Sequence, residues 1–346
     1  MSTTAHAGSA PPASDEDALN AIMRRGGAKL RERMVRTEQH LEQVTASAGA
    51  PLASHASATV LAGGKRLRPL LVVLAAESCG GPPEDADGEE RLVRAAVAVE
   101  LVHSATLVHD DLIDDAPLRR GRPTVAAVAG RRFAVATGDL LFSRAFAELA
   151  RNDDAAQLQA LSQASSALAE GELLQREDAY ASDVAVARYL RRCELKTAAL
   201  FEAACRLGAL TAASGSAALA DALGAFARRI GLAFQMLDDV LDVSGPVERT
   251  GKSRGTDLLD GTVTLPLILA RERDPALAAL KLSELDGPAE AEALCARIAA
   301  TGALDEARER ALAVVAEAKA ELPAILPGGR SALLEMVADS VVERYR

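Results

Sequence analysis

The 346-residue chain is 49% apolar and 25% charged, which supplies a large core and excludes a disordered or low-complexity polymer. Its 39 Lys and Arg against 49 Asp and Glu leave a net charge of −10, which argues against general binding of nucleic acid or anionic lipid. Aromatics make up 3% and Trp is absent, which favours packed helices over sheets, while four scattered cysteines show neither a disulfide framework nor a zinc-ligand spacing.

Residues 1–15, MSTTAHAGSAPPASD, are small, polar and Pro-containing, the composition of a flexible leader, and they lack the basic start and apolar stretch of a signal peptide. No run reaches the roughly 18 uninterrupted apolar residues of a membrane span, so a cytoplasmic protein without stable membrane insertion is expected. From about Glu16 apolar residues recur every three or four positions, with breaks at GAPLASHA, GGKRLRP, CGGPPEDADG, APLRRGRPT and VSGPVERTGKSRGTDLLDG. The pattern predicts helices over 91–114, 131–150, 155–178, 184–209, 215–243 and 263–272, and a helix-rich close over 289–346. No repeat or linker-like shift follows the leader, so 16–346 reads as one nearly all-α domain.

The predicted helix 91–114 ends in HDDLIDD. Its aspartates, Asp110, Asp111, Asp114 and Asp115, crowd the end where the backbone dipole is already negative, which costs stability unless a cation offsets them. At about 100° per residue Asp110 and Asp114 share a face, with His103 on the same side two turns back. Carboxylates at i and i+4 suit Mg²⁺, which binds through a few carboxylates together with waters and substrate phosphates. The arrangement returns in QMLDDVLDVSG, where Asp238, Asp239 and Asp242 end a second apolar helix and Gly231 lies two turns back, open to close approach. The same local rule broken twice points to function: two acidic helix ends facing one cavity, binding metal ions and through them a diphosphate. Basic residues complete the set. Lys65, Arg66 and Arg68 lie in GGKRLRP, Arg119 and Arg120 follow the first cluster, Lys196 precedes Thr197 in ELKTAALF, and Lys252 lies in GKSRGTD. Arg forks and Lys point charges at loop and helix ends are common phosphate holders.

In order and spacing, GGKRLRP, HDDLIDDAPLRRG, KT, FQMLDD and GKSRGTD resemble the motifs of trans-isoprenyl diphosphate synthases, members of the polyprenyl synthetase family, and the resemblance covers residues 20 to 346. It implies an all-α, single-domain bundle of about ten or more helices around a deep apolar cavity, assembled as a homodimer, with about three Mg²⁺ ions bridging the two Asp motifs and an allylic diphosphate. By that resemblance Asp110, Asp111 and Asp114 form the first metal motif and Asp238, Asp239 and Asp242 the second. Arg119, Lys196 and Lys252 would hold the allylic diphosphate, Lys65, Arg68, His103 and Arg120 would hold isopentenyl diphosphate, and Thr197 and Gln235 would lie close to the reacting carbons.

The residue types agree with such chemistry. Ionising an allylic C–O bond places negative charge on a leaving diphosphate, which Lys, Arg and Mg²⁺ stabilise, and the carbocation needs the dry, nucleophile-free surroundings that Ala and Leu provide. No side chain is an obvious base for the final proton; by the resemblance, the departing diphosphate takes it. In DLLDGTVTLP, Thr262 stands where relatives often carry a second Lys, so allylic binding is expected to be weaker or rearranged. Glu172 and Gln175 are further candidates for ordering metal-bound water. In this family the residues one turn before the first Asp motif floor the product cavity; here they are Ala105 and Thr106, both small, and Phe142 and Phe146 are candidates for a deeper floor. At about 1.5 Å per residue each open helical turn adds the length of one C5 unit, so a product of C20 or longer is expected, with C30 to C40 preferred. Two other readings remain. A terpene cyclase or head-to-head coupling enzyme shares the acidic motifs but has no need of GGKRLRP, and a partner subunit of a heteromeric synthase characteristically loses motif residues that are present here.

Overall fold

The computed structural model describes residues 15–47, 49–245 and 254–343. The expected all-α class holds. In chain order come α1 (Asp15–Arg25), α2 (Gly27–Ala46), α3 (Ala50–Val60), α4 (Leu67–Ser78), α5 (Ala86–Ile113), α6 (Val125–Ala129), α7 (Arg131–Ala150), α8 (Ala155–Glu177), α9 (Val186–Cys193), α10 (Ala199–Thr211) and α11 (Ala217–Ser244). Further helices include Leu265–Arg273, Pro288–Ala300, Ala303–Ile325 and Ala332–Glu343. Among the described residues the only strand pairing is a two-residue hairpin in which Leu118 opposes Pro123 and Arg119 opposes Arg122. The leader 1–15 lies, apart from Asp15, outside the described residues.

Helix α5 is the axis. Asp85 caps it by accepting from Gly88 N at 2.6 Å, and Asp87 and Glu89 complement the positive end of its dipole. From Leu92 to Leu112 its side chains are buried on every face, and α2, α4, α7 and α10 pack around it. It is long and apolar enough to cross a membrane, yet 72% of that apolar stretch is buried inside the bundle, as a core helix requires. Helix α11, capped by Ser216 accepting from Leu219 N at 3.2 Å, packs against α10 and the helix Ala303–Ile325. Each fully buried Leu or Val here contributes about 1.5–3 kcal/mol. The carboxylate-rich ends of α5 and α11 thus follow long apolar stretches that pack into the core.

Two expectations are corrected by local chemistry. GAPLASHA is a break only at Gly49: α3 runs through the rest of it, because Pro51 falls in the first turn, where its missing N–H has no helical partner to lose. The single helix expected over 184–209 is three pieces. A π-helical turn, Glu194–Ala198, inserts an extra residue between α9 and α10, and Ala199 N bonds back to Glu194 O. Periodicity cannot show this, since one wide turn shifts the apolar stripe by a single residue.

The widened turn is held between two glycines. A Cβ on Gly171 of α8 would stand 2.5 Å from Lys196 N and 2.8 Å from Lys196 Cα. A Cβ on Gly231 of α11 would stand 2.8 Å from Ala198 Cα and 3.0 Å from the Phe201 Cβ. Both helices therefore touch the backbone of the turn, which fixes Lys196 and Thr197 between them. Gly231 serves the close approach expected of it.

Candidate active site

The C-terminal end of α5 delivers its aspartates to different places. Asp111 is buried and accepts from Arg119 Nε at 2.6 Å, which leaves the outer nitrogens of that guanidinium for other partners. Asp114 caps the helix, its N–H bonded to Asp110 O at 2.8 Å, and its exposed carboxylate is engaged by Arg176 of α8. Asp110 faces Lys196, Glu172, Asp114 and Arg119; burial pushes its carboxyl up to about 6, Lys196 and Arg119 opposing and the two carboxylates adding. Lys196 itself donates to Glu172, which also accepts from Arg176 Nε at 2.9 Å.

The end of α11 repeats the division into an inner and two outer carboxylates. Asp239 is 3% exposed, and both of its oxygens are engaged, by Gln235 Nε2 and by the Tyr189 hydroxyl, each at 2.7 Å. Gln235 accepts in turn from the Thr197 hydroxyl at 2.7 Å. A continuous chain of hydrogen bonds thus joins the π-helical turn to the second motif. Burial raises the Asp239 carboxyl well above the usual carboxylate range, with the neighbouring Asp257 adding most to it. Asp238 and Asp242 are half-buried. After α11 the chain returns to the motif: Gly255 N donates to Asp242 O at 3.0 Å, and Asp257 N to Asp242 Oδ2 at 3.3 Å. Lys252 lies outside the described residues.

The basic residues of GGKRLRP and of the loop after α5 gather around the middle of α5. Arg66 and Arg120 both adopt left-handed backbone, at φ 49° and 51°, an arrangement that costs a non-Gly residue about 1 kcal/mol and is typically kept at functional sites. Arg66 is committed internally, donating to Glu38 at 2.5 Å, Glu100 at 2.7 Å and Val60 O at 2.7 Å. Arg68 is half-buried, its guanidinium 5.0 Å from the Phe201 ring centre, and its buried Nε has no hydrogen-bond partner among the described residues. Burial lowers it to about 10, Glu100 opposing and Arg120 adding. The Arg120 guanidinium packs on Gly64, where a Cβ would come within 2.8 Å of Nη1. His103 is driven well below the ordinary imidazole range by burial and by Arg68, Arg120, Arg119 and Arg66, so it is neutral at physiological pH. Lys65 lines a small pocket together with Leu67 and Phe234. A half-buried cluster with positive charge in excess and an unsatisfied donor has the chemistry of an anion site.

The structure therefore brings together Asp110, Asp111, Asp114, Lys196, Thr197, Gln235, Asp238, Asp239 and Asp242, and beside them Arg68, His103, Arg119 and Arg120. Sequence reading missed Glu100, Tyr189, Arg176, Asp257 and Gly171. Glu100 left a signal, a lone acid inside the apolar run AVAVELV, and Asp257 closes the motif GKSRGTD; the others left none. Glu172, a candidate for ordering metal-bound water, is bonded to Lys196 and Arg176. Ala105 is fully buried and Thr106 bonds to His103 O at 2.8 Å, while Phe142 stacks on His109 with ring centres 6.0 Å apart.

Among the described residues no three His, Cys, Asp or Glu side chains converge closely enough to hold a metal ion alone. The donors still fit a hard divalent cation. All are carboxylate oxygens, and Asp110, whose carboxyl burial raises, would be stabilised in its charged form by one. Mg²⁺ commonly takes only one or two carboxylates and completes its shell with water and substrate phosphate.

The polyprenyl synthetase family model matches residues 50–298. The chain is 41% identical over 254 residues to heptaprenyl diphosphate synthase component 2 of Geobacillus stearothermophilus, covering 72% of this chain and 76% of that protein. It is 37% identical over 288 residues to geranylgeranyl diphosphate synthase of Methanosarcina mazei, covering 82% and 86%. Among solved structures, polyprenyl synthase from Caulobacter crescentus CB15, complexed with calcium and isoprenyl diphosphate, superposes with a TM-score of 0.86 at 33% identity over 95% of this chain and 98% of that one.

Proposed function

The chain belongs to the polyprenyl synthetase family, and from that premise we propose that it condenses isopentenyl diphosphate head-to-tail onto an allylic diphosphate to give an all-trans polyprenyl diphosphate. The observation that carries this reading is the hydrogen-bonded path from Thr197 through Gln235 to Asp239, which joins Lys196 and the first acidic end to the second, beside a separate cationic cluster around Arg68. A carboxylate-rich region that would take a diphosphate through divalent cations and a basic one that would take it directly suit two diphosphate substrates that must be told apart.

Asp110, Asp114, Asp238 and Asp242 are the carboxylates that would hold Mg²⁺, with Asp111 and Asp239 turned inward to fix Arg119 and Gln235. Bound there, Mg²⁺ would neutralise the charge that develops on a leaving diphosphate. Lys196 and Arg119 would bind the allylic diphosphate from the protein side, and Lys252 is proposed for the same task. Arg68, Arg120 and Lys65 would bind isopentenyl diphosphate, and His103, neutral, would donate one hydrogen bond to it rather than a charge. The Thr197 hydroxyl and Gln235 amide are held by each other and by Asp239, so they present fixed dipoles and no free nucleophile to a carbocation. The last proton would leave with the diphosphate. For chain length, the small Ala105 and Thr106 support C20 or longer, with C30 to C40 preferred; a homodimer is proposed on family resemblance.

Incubation of the purified protein with labelled isopentenyl diphosphate, farnesyl diphosphate and Mg²⁺ tests this, with Asp110→Ala and Asp238→Ala as controls. A product ladder ending at one length and lost in both variants is expected. A second reading is favoured by the resemblance to component 2 proteins of Geobacillus stearothermophilus and of Bacillus subtilis, the latter 39% identical over 241 residues. It holds that this chain needs a second subunit. No elongation from dimethylallyl, geranyl or farnesyl primers by the chain alone, with activity restored by a co-purifying protein, would select it.

A further inference from the structure

The end of α8 contributes an unexpected cation. Arg176, in its last turn, reaches Asp114 of the first aspartate motif with one nitrogen and Glu172, one turn back, with Nε at 2.9 Å. Glu172 in turn holds Lys196, and Lys196 faces Asp110. Charges alternate without a gap along Asp114, Arg176, Glu172, Lys196 and Asp110. Two arginines thus serve one motif in different ways. The Arg119–Asp111 pair has its carboxylate 8% exposed, which fixes it in place, whereas Asp114 and Arg176 are 35% and 38% exposed, in reach of water and weak enough to exchange.

We propose that Arg176 is a placeholder cation: in the metal-free protein it occupies Asp114 and, through Glu172, holds Lys196, so that its release frees a metal-binding carboxylate and a diphosphate-binding amine together. This rests on the reading that Asp110 and Asp114 hold a divalent cation. Arg176 engages Asp114 through Oδ1, so a cation that takes this oxygen must displace the guanidinium, and two positive charges on one carboxylate disfavour each other. On leaving, Arg176 keeps its Nε bond to Glu172 and can offer that carboxylate a second nitrogen in the paired geometry that arginine favours. Glu172 then has less charge to offer Lys196. Filling of the first motif and presentation of Lys196 become one event.

The test is binding of Mn²⁺ alone, followed by loss of its free paramagnetic resonance signal, to the wild-type protein and to Arg176→Leu, Arg176→Lys and Asp110→Asn. Removing a partly exposed competitor should tighten Mn²⁺ binding in Arg176→Leu by about three- to fivefold, as an exposed pair of modest strength allows. Arg176→Lys, which keeps the charge, should stay within about twofold of wild type. Mn²⁺ should also raise the melting temperature of Arg176→Leu by more than that of wild type. Equal affinity in wild type and Arg176→Leu, or weaker binding in the latter, overturns the placeholder role while leaving the metal site standing. If wild type and Asp110→Asn bind Mn²⁺ alike, the metal reading of the motif itself fails, a different result from either.

Discussion

Replacing Gly171 by Ala in α8 is the sharpest probe of the wedge that carries Lys196. In an ordinary helix interior the change stabilises by about 1 kcal/mol, since Gly loses more backbone freedom on folding. At Gly171 the new methyl would lie 2.5 Å from Lys196 N, 2.8 Å from its Cα and 2.9 Å from its Cβ. The first two are backbone atoms, which cannot rotate away, so α8 or the π-helical turn must shift. Overpacking of this kind costs about 1–3 kcal/mol, and with such contacts the upper half of that range applies, for a net loss of roughly 1 kcal/mol or more. Lys196 moves with the turn, so kcat/KM for the allylic diphosphate should fall about tenfold, the equivalent of 1.4 kcal/mol. Gly224→Ala in α11 is the control. Its methyl would meet Cγ of Arg206 at 2.8 Å, a flexible side chain that can move, and the helix-propensity gain should survive. Denaturant unfolding and steady-state kinetics measure both variants. A Gly171→Ala protein that is more stable than wild type, with unchanged kinetics, would show that the glycine does not hold the turn.

Three other outcomes follow from the basic cluster and the inner carboxylate. His103 has a folded pKa below its unfolded value near 6.5, so the unfolded chain binds the extra proton, and stability present above pH 6.5 is lost as pH falls towards the folded pKa, by about 1.4 kcal/mol per unit. Thermal melts between pH 7.5 and pH 5 should show a shallower acid loss in His103→Gln than in wild type; parallel curves would disprove a neutral, buried His103. Glu100→Gln removes the buried counter-charge of Arg66 and Arg68, at a cost of about 3 kcal/mol, the lower end for a broken buried pair because Glu38 still holds Arg66. Inorganic diphosphate should then raise the melting temperature of the variant more than that of wild type, and equal shifts would separate Glu100 from the anion site. Tyr189→Phe leaves one Asp239 oxygen without its donor, and should destabilise by about 1–3 kcal/mol while lowering kcat through Gln235 and Thr197. A loss of stability with kcat intact would confine Tyr189 to packing.

Much of the fold was legible because its helices are amphipathic or wholly apolar at a 3.6-residue period, and their ends carry Gly, Pro and capping side chains. The expected helices over 131–150 and 155–178 match α7 and α8 to within a residue. Of the site, the residues that break a local rule were readable: acids at helix C-termini, arginines in a Gly-opened turn. What stayed hidden satisfies local rules and acts at a distance. Tyr189 is an ordinary core aromatic until Asp239, 50 residues on, is seen beneath its hydroxyl. Arg176 is a favourable charge at the end of α8 until Asp114, 62 residues back, is seen beside it. The π-helical turn leaves the composition of its segment unchanged, and only the two glycines on other helices explain why it persists.

The two acidic ends can stand without metal because each hides its inner carboxylate under a fixed donor. Asp111 has Arg119, and Asp239 has Gln235 and Tyr189. Those pairings answer part of the repulsion with the helix dipole, and they commit those oxygens inward. The outer carboxylates are the more exposed ones, and on Asp110 burial, with Glu172 and Asp114 adding, raises the carboxyl to about 6. Tying every aspartate down would make both helices more stable and leave no oxygens for a cation. Leaving all of them loose would fray two core helices whose ends also position Lys196 and Gln235. On both helices the inner carboxylate is fixed, by Arg119 on α5 and by Gln235 and Tyr189 on α11, while the outer ones keep the greater exposure that the proposed cation site needs.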